Sequence, residues 1–151
     1  MSDERRERLK RLMDLRAKEL SHRVADLDSA RSTETSAEQE LQQAQTRKMA
    51  AIAERDERSK RDLTAADWSQ AEGWLASLAQ RELVIEVQRQ QAALAVLEAR
   101  TRVAVAKTEQ EKIQVLIRRA VDEARKLQSQ NERKLDDELG ARASLRKSHV
   151  G

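Results

Sequence analysis

The sequence predicts an all-α protein, a long two-helix antiparallel coiled-coil hairpin, and three observations point to it. The 151 residues include no Pro and only 3 Gly, so almost nothing in the chain interrupts a helix. Aromatic residues make up 1% of the chain and charged residues 38%, which leaves too few bulky side chains for a globular core. Apolar residues recur every seven positions over most of the length, as they do in coiled coils.

The second half of the chain carries one heptad pattern from Leu75 to Leu145. One of its two core rows is apolar at every position except Lys134, and it consists of Leu78, Ile85, Ala92, Ala99, Ala106, Ile113, Ala120, Leu127, Lys134 and Ala141. A strict seven-residue repeat implies a left-handed supercoil. The recurring alanines favour a close approach of two helices.

The first half shows a similar pattern with more charged positions. Its rows are Met13, Leu20, Leu27, Glu34 and Leu41, and Arg16, Arg23, Ala30, Ala37, Ala44 and Ala51. Ile52 and Leu63 lie off these rows, which we interpret as a stutter before a turn.

Two helix-start signals lie near the middle of the chain. Thr64 with Asp67, and Ser69 with Glu72, both have the spacing of a capping box. They predict a turn at about residues 64–70, between a first arm at about 3–63 and a second at about 71–145. The whole chain, 1–151, is then a single hairpin domain.

The charges favour antiparallel pairing of the two arms. With the turn near residue 67, position i faces roughly position 134 − i. The charged residues of 26–46 are acidic except for Arg31, and those of the expected partners, residues 88–108, are basic except for Glu98, so opposite charges flank the seam. Two separate or intermolecular helices remain the competing arrangement.

The residue types exclude most site chemistry. There is no Cys, no Gly-rich phosphate loop and no Cys/His cluster, so we expect no catalytic residue, no cofactor and no metal. Glu19 and His22 have the Glu-x-x-His spacing of di-iron bundles, but such sites need two motifs. The apolar runs are too short for a membrane span or a secretory signal. We therefore predict a non-enzymatic protein of a reducing compartment that binds partners.

Three regions are candidates for partner binding. The tip holds the only aromatic residues, Trp68 and Trp74, next to Leu75 and Leu78, and Trp is a frequent interface anchor. Basic residues concentrate near both termini, and the hairpin should bring them to one pole: Arg5, Arg6, Arg8, Lys10, Arg11, Arg142, Arg146 and Lys147. The basic stretch Arg100–Lys126 is the third candidate, although its charges can also be explained by pairing with the acidic stretch of the first arm.

Short motifs along most of the chain resemble the flagellar export protein family FliJ, related to the stalk proteins of virulence type III secretion. The run Glu132–Lys147, ERKLDDELGARASLRK, is similar to the family's C-terminal ending. The run Leu12–Leu20 is similar to its opening helix, and Trp74–Leu78 falls where its second helix begins.

The resemblance implies a hairpin similar to the two-helix stalk of the F-type ATPase γ subunit. It implies binding to the hexameric export ATPase and to the membrane export gate, with export chaperones as partners of some members. Trp74 and Leu78 match family positions that contact the gate, whereas Arg47 and Ala51 stand where the family has aromatic residues on the first arm.

Together these features predict that the tip, Trp68, Trp74, Leu75 and Leu78, binds the gate, and that the basic terminal residues bind the ATPase. We expect a cytoplasmic protein associated peripherally with the inner face of the membrane, with no small-molecule substrate. The alternative is a generic coiled-coil scaffold or a nucleic-acid-associated protein. The interleaving of 30 basic and 27 acidic residues disfavours nucleic acid, which calls for a one-sided basic surface.

Overall fold

The computed structural model describes residues 3–150, and side chains from Asp3 to Ser148. Over this range the chain forms two helices, α1 (Asp3–Ser59, 57 residues) and α2 (Ala65–Val150, 86 residues). A short turn over residues 60–64 joins them, and no strand occurs between residues 3 and 150. The prediction of an all-α helical hairpin is confirmed.

The contacts divide the chain into two units. One unit combines Met1–Leu20 with Ala106–Gly151, and the other is continuous from Ser21 to Val105. The continuous unit contains the turn, with a stretch of α1 packed against a stretch of α2. The other unit joins the beginning of α1 to the later part of α2, which is the pairing that an antiparallel hairpin requires.

The core of the hairpin is the alanine-rich row that the heptad pattern predicts on α2. The first seven members of that row are all buried, from Leu78 to Ala120 at seven-residue intervals. Val96 and Val103, which are seven residues apart at the other core position of the same heptad pattern, are buried too. The row leaves the core at Leu127, which is 53% exposed.

The turn lies earlier than the predicted residues 64–70. The Thr64 hydroxyl accepts a hydrogen bond from the Asp67 backbone N–H at 3.1 Å, so Thr64 is the N-cap of α2 and the first of the two helix-start signals is the one used. Ser69 and Glu72 lie inside α2. The predicted arm boundaries, 3–63 and 71–145, are corrected to helices ending at Ser59 and beginning at Ala65.

The predicted stutter in α1 is also wrong, because charged residues continue its seam. Lys48 lies seven residues after Leu41 and forms an ion pair with Glu82 on α2 at 2.7 Å. Arg55 follows seven residues later and pairs with Glu72 at 2.7 Å. The predicted register would have placed positions near 86 and 79 opposite these two residues, so the true register is shifted by several residues.

The acidic stretch of α1 does lie near a basic residue of α2. The Glu86 carboxylate accepts two hydrogen bonds from the Arg89 guanidinium, at 3.0 and 2.6 Å. These bonds raise the pKa of Arg89, and the carboxylates of Glu38 and Glu34 on α1 raise it further. The same bonds from Arg89 hold the pKa of Glu86 below its usual value. The stabilisation from this pair is therefore present above the usual carboxyl range and is lost as the pH falls through the lowered pKa.

The tight alanine packing predicts a specific response to an added side chain. Ala99 is buried in the seam, so Ala99→Leu should lower the free energy of unfolding by about 1–3 kcal/mol through overpacking. Ala95 is exposed on the same helix, and Ala95→Leu should change it by less than about 0.5 kcal/mol. Thermal and urea unfolding followed by circular dichroism measures both. Equal stability of the two variants would contradict close packing at this row.

The register set by Lys48 and Glu82 predicts a charge-swap effect. Glu82→Lys places two cations together in the seam and should lower the free energy of unfolding by about 1–2 kcal/mol. Adding Lys48→Glu restores an opposite pair and should recover about 0.5–1 kcal/mol.

Glu98→Lys makes the same charge change at an exposed position and is the control for net charge. Urea titrations of the wild-type chain, both single variants, the double variant and the control measure the coupling. No recovery in the double variant would mean that the two residues do not pair in solution.

Candidate partner-binding surfaces

The tip of the continuous unit presents Trp68 beside an ordered arginine. The Arg55 guanidinium lies 5.4 Å from the centre of the Trp68 ring, a cation–π distance. It also donates hydrogen bonds to Glu72 at 2.7 Å and to Asp56 at 3.3 Å. Partial burial alone would lower the pKa of Arg55, but these hydrogen bonds and charges outweigh it and raise the pKa. Trp68, 43% exposed, is therefore held on one side by a fixed cation.

Trp74 lies at the edge of a groove of about 580 Å³ beside the turn. The indole is 59% exposed, so it does not close the end of the core. Acidic, basic and apolar side chains line the groove together: Ala51, Glu54, Arg55, Arg58, Leu63, Asp67, Gln70, Ala71, Trp74 and Ser77. An exposed indole next to a mixed groove is suited to anchoring a protein partner.

The four residues predicted to bind the gate have different environments. Trp68 and Trp74 are exposed, Leu75 is half-buried, and Leu78 is 7% exposed in the seam. Leu78 therefore packs the hairpin and offers no surface to a partner. The sequence reasoning missed Arg55 and Leu63 as neighbours of the indoles. Continuing the seven-residue row of α1 through Lys48 would have identified Arg55.

The two terminal basic sets are exposed but do not form one cluster. Burial on α2 ends at the half-buried Ala124, and every side chain from Arg125 to Ser148 is exposed. Arg142 lies about 27 Å beyond Ala124 along the helix, at ~1.5 Å per residue. The prediction that the hairpin brings both basic sets together at one pole is thus corrected: α2 carries its set well past the part covered by α1.

Residues 125–148 of α2, here the C-terminal extension, expose a stripe of leucines. Leu127, Leu135, Leu139 and Leu145 are each more than half exposed and fall within one side of the helix at ~100° per residue. Ala124, Leu127, Asn131 and Leu135 border a shallow groove of about 350 Å³. The heptad pattern predicted core positions here, because periodicity alone does not show where the partner helix begins.

The described residues can also be compared with the requirements of a metal site and of a membrane-spanning helix. His22 lies 3.7 Å from Asp26 on an exposed face, and no group of three potential ligands occurs among residues whose side chains are described. Neither helix, over the described range, is long and apolar enough to cross a membrane.

A family model described as "Flagellar FliJ protein" matches residues 5–149. The chain belongs to the FliJ family. The resemblance inferred from the terminal motifs is confirmed, and FliJ membership assigns the chain to a non-enzymatic family with a role in flagellar protein export. No curated protein matches the chain, and no solved structure matches it.

The different burial of two tip residues in this FliJ protein predicts different stability effects. Leu78→Ala should lower the free energy of unfolding by about 2–5 kcal/mol, because it leaves a cavity in the seam. Trp74→Ala should change it by less than about 0.5 kcal/mol, since the indole is mostly exposed. Urea unfolding of both variants is the measurement. A large loss for Trp74→Ala would mean that the indole packs the hairpin rather than standing free for a partner.

Proposed function

We propose that this FliJ family member is a central stalk and adaptor of the flagellar type III export apparatus. It binds the hexameric export ATPase through the C-terminal extension and the terminal basic residues. It binds the membrane export gate through the tip, and export chaperones are further partners. It acts in the cytoplasm at the inner face of the membrane.

The observation that carries the proposal is the C-terminal extension. A single helix measures about 10–12 Å across with its side chains, so it fits into a narrower space than a helix pair. It combines exposed leucines with Arg142, Arg146 and Lys147. An apolar stripe with basic flanks suits the inside of a ring that offers apolar and acidic groups, where charge steers association and apolar burial holds the complex.

The tip supports a second and separate contact. Trp74 offers a large apolar surface next to a groove that also contains charged groups, and both belong to the unit that contains the turn. This combination favours a protein partner over a small molecule, because the groove is open to solvent and several charged side chains line it.

The nucleic-acid alternative finds no specific support. A nucleic-acid surface needs basic residues on one side without intervening acids. On the C-terminal extension, Asp136, Asp137 and Glu138 interrupt the basic residues.

Deleting residues 125–151 tests the ATPase contact. Because the described side chains beyond Ala124 are all exposed, we expect the shortened hairpin to keep its melting temperature within a few degrees and to lose ATPase binding. Reversing Arg142, Arg146 and Lys147 to Glu should weaken ATPase binding mainly at low salt. Titration of each variant against the purified ATPase at two salt concentrations measures both effects.

Trp74→Ala is the matched variant at the other end. It should reduce gate binding by ~2 kcal/mol or more with little change in salt dependence, and it should leave ATPase binding intact. If it weakened both interactions equally, or if the shortened chain still bound the ATPase fully, the division of work between the two ends would be wrong.

A further inference from the structure

Arg55 connects the end of α1 to the beginning of α2. Its guanidinium donates a hydrogen bond to Glu72 at 2.7 Å and lies 5.4 Å from the centre of the Trp68 ring. Trp68 and Glu72 are four residues apart and therefore lie on the same side of α2. A single side chain of α1 thus contacts two successive positions on one side of α2, next to the turn that joins the helices.

The position of Trp68 in its helix gives the indole little support from α2 itself. The Trp68 N–H donates to the Thr64 carbonyl oxygen at 3.0 Å, which places Trp68 in the first turn of α2. Helical side chains lean back over the preceding turn, and a residue in the first turn has none beneath it. The ring is 43% exposed, with the Arg55 guanidinium on one side. Contact with α1 therefore decides how the ring is oriented.

The guanidinium is itself ordered by several contacts. It donates a further hydrogen bond to Asp56 at 3.3 Å, and the Arg55 side chain is only 23% exposed. Its Nε atom is buried and has no hydrogen-bond partner among the described residues. Because an unpaired buried N–H is unfavourable, the two carboxylates and the ring have to offset that loss. A planar guanidinium can do so, since it forms bonds in fixed directions and also stacks on an aromatic face.

We propose that Arg55 is a positioning residue for partner binding at the tip: it holds the Trp68 indole in the orientation that the export gate binds. The inference rests on the proposed function, in which the tip contacts the gate. With a cation already next to one face of the ring, a second cation gains little there. The open side of the indole therefore suits an apolar side chain of the partner.

Time-resolved fluorescence anisotropy tests whether Arg55 holds the ring. The chain has only 2 Trp and no Tyr, so Trp74→Phe leaves Trp68 as the sole emitter. In that background, Arg55→Met keeps an unbranched stem without the guanidinium and should increase the nanosecond local motion of the indole. Arg31→Met makes the same change at an exposed position of α1 and should leave the decay unchanged. Equal decays for Arg55→Met and its parent would overturn the proposal.

The Arg55→Met variant should remain folded. Glu72 is 49% exposed and Asp56 is 62% exposed, so both carboxylates stay hydrated when the guanidinium is removed. Circular dichroism should show the helix content of the parent chain, which distinguishes a freed indole from an unfolded tip. Arg55→Lys is a second variant that keeps the charge but not the planar fork, and it should also increase the local motion of the ring.

Titration against the purified gate protein tests the consequence for binding. A free indole has roughly three staggered χ1 wells, and with one of them competent, Arg55→Met should raise the dissociation constant about three-fold. In a Trp68→Ala background the same change should have no effect, because Arg55 acts through the ring. A similar loss in both backgrounds would mean that Arg55 contacts the gate itself, and its positioning role would be wrong.

Failure of the inference and failure of the proposed function give different results. If the wild-type chain did not bind the gate, the proposed function would be wrong, whatever the anisotropy showed. If the wild-type chain bound and Arg55→Met bound equally well, the gate contact would stand and only the role of Arg55 would be overturned.

Discussion

Close packing of the alanine-rich row of α2 against α1 is the interaction on which the rest of this structure depends. The chain has no Phe, Tyr or Cys, and the buried residues of the described chain are all aliphatic. The stability of the fold therefore comes from many layers of small side chains rather than from one cluster of large ones. Each layer contributes only a little to the free energy of unfolding. Such a core leaves both helices with exposed faces that can bind partners.

The two helices contribute unequally to that seam. Among the residues whose side chains are described, only Leu27 and Ala44 of α1 are buried, whereas nine residues of α2 are. Charged side chains of α1, such as Lys48 and Arg55, fill seam positions and pair with carboxylates of α2. Ion pairs of this exposure add little to stability. These pairs instead specify the register of the two helices, because sliding α2 past α1 by a few residues would separate the paired charges.

The C-terminal extension and the turn present different kinds of surface. With 57 residues in α1 and 86 in α2, part of α2 has no cover from α1 and exposes a leucine stripe with basic residues. At the turn, Arg55 holds Trp68 while Trp74 remains exposed. The C-terminal extension thus offers a single amphipathic helix, and the turn offers an aromatic anchor beside a groove. These surfaces differ in how charge and apolar area contribute to binding.

The sequence by itself determined the helices, the hairpin and the core row of α2, because helix propensity and the seven-residue repeat are local properties of the chain. It also contained the correct cap at Thr64, but a second capping box at Ser69 was indistinguishable from it until the packing selected one. The register was decided only by the tertiary structure, since small apolar residues fit many offsets and the pairs of Lys48 and Arg55 distinguish among them. The tertiary structure also decided which core positions are buried. Leu78 and Leu127 occupy equivalent heptad positions, yet Leu78 is covered by α1 and Leu127 is not. A repeat indicates which face of a helix can be buried, and only the partner helix decides where that burial ends.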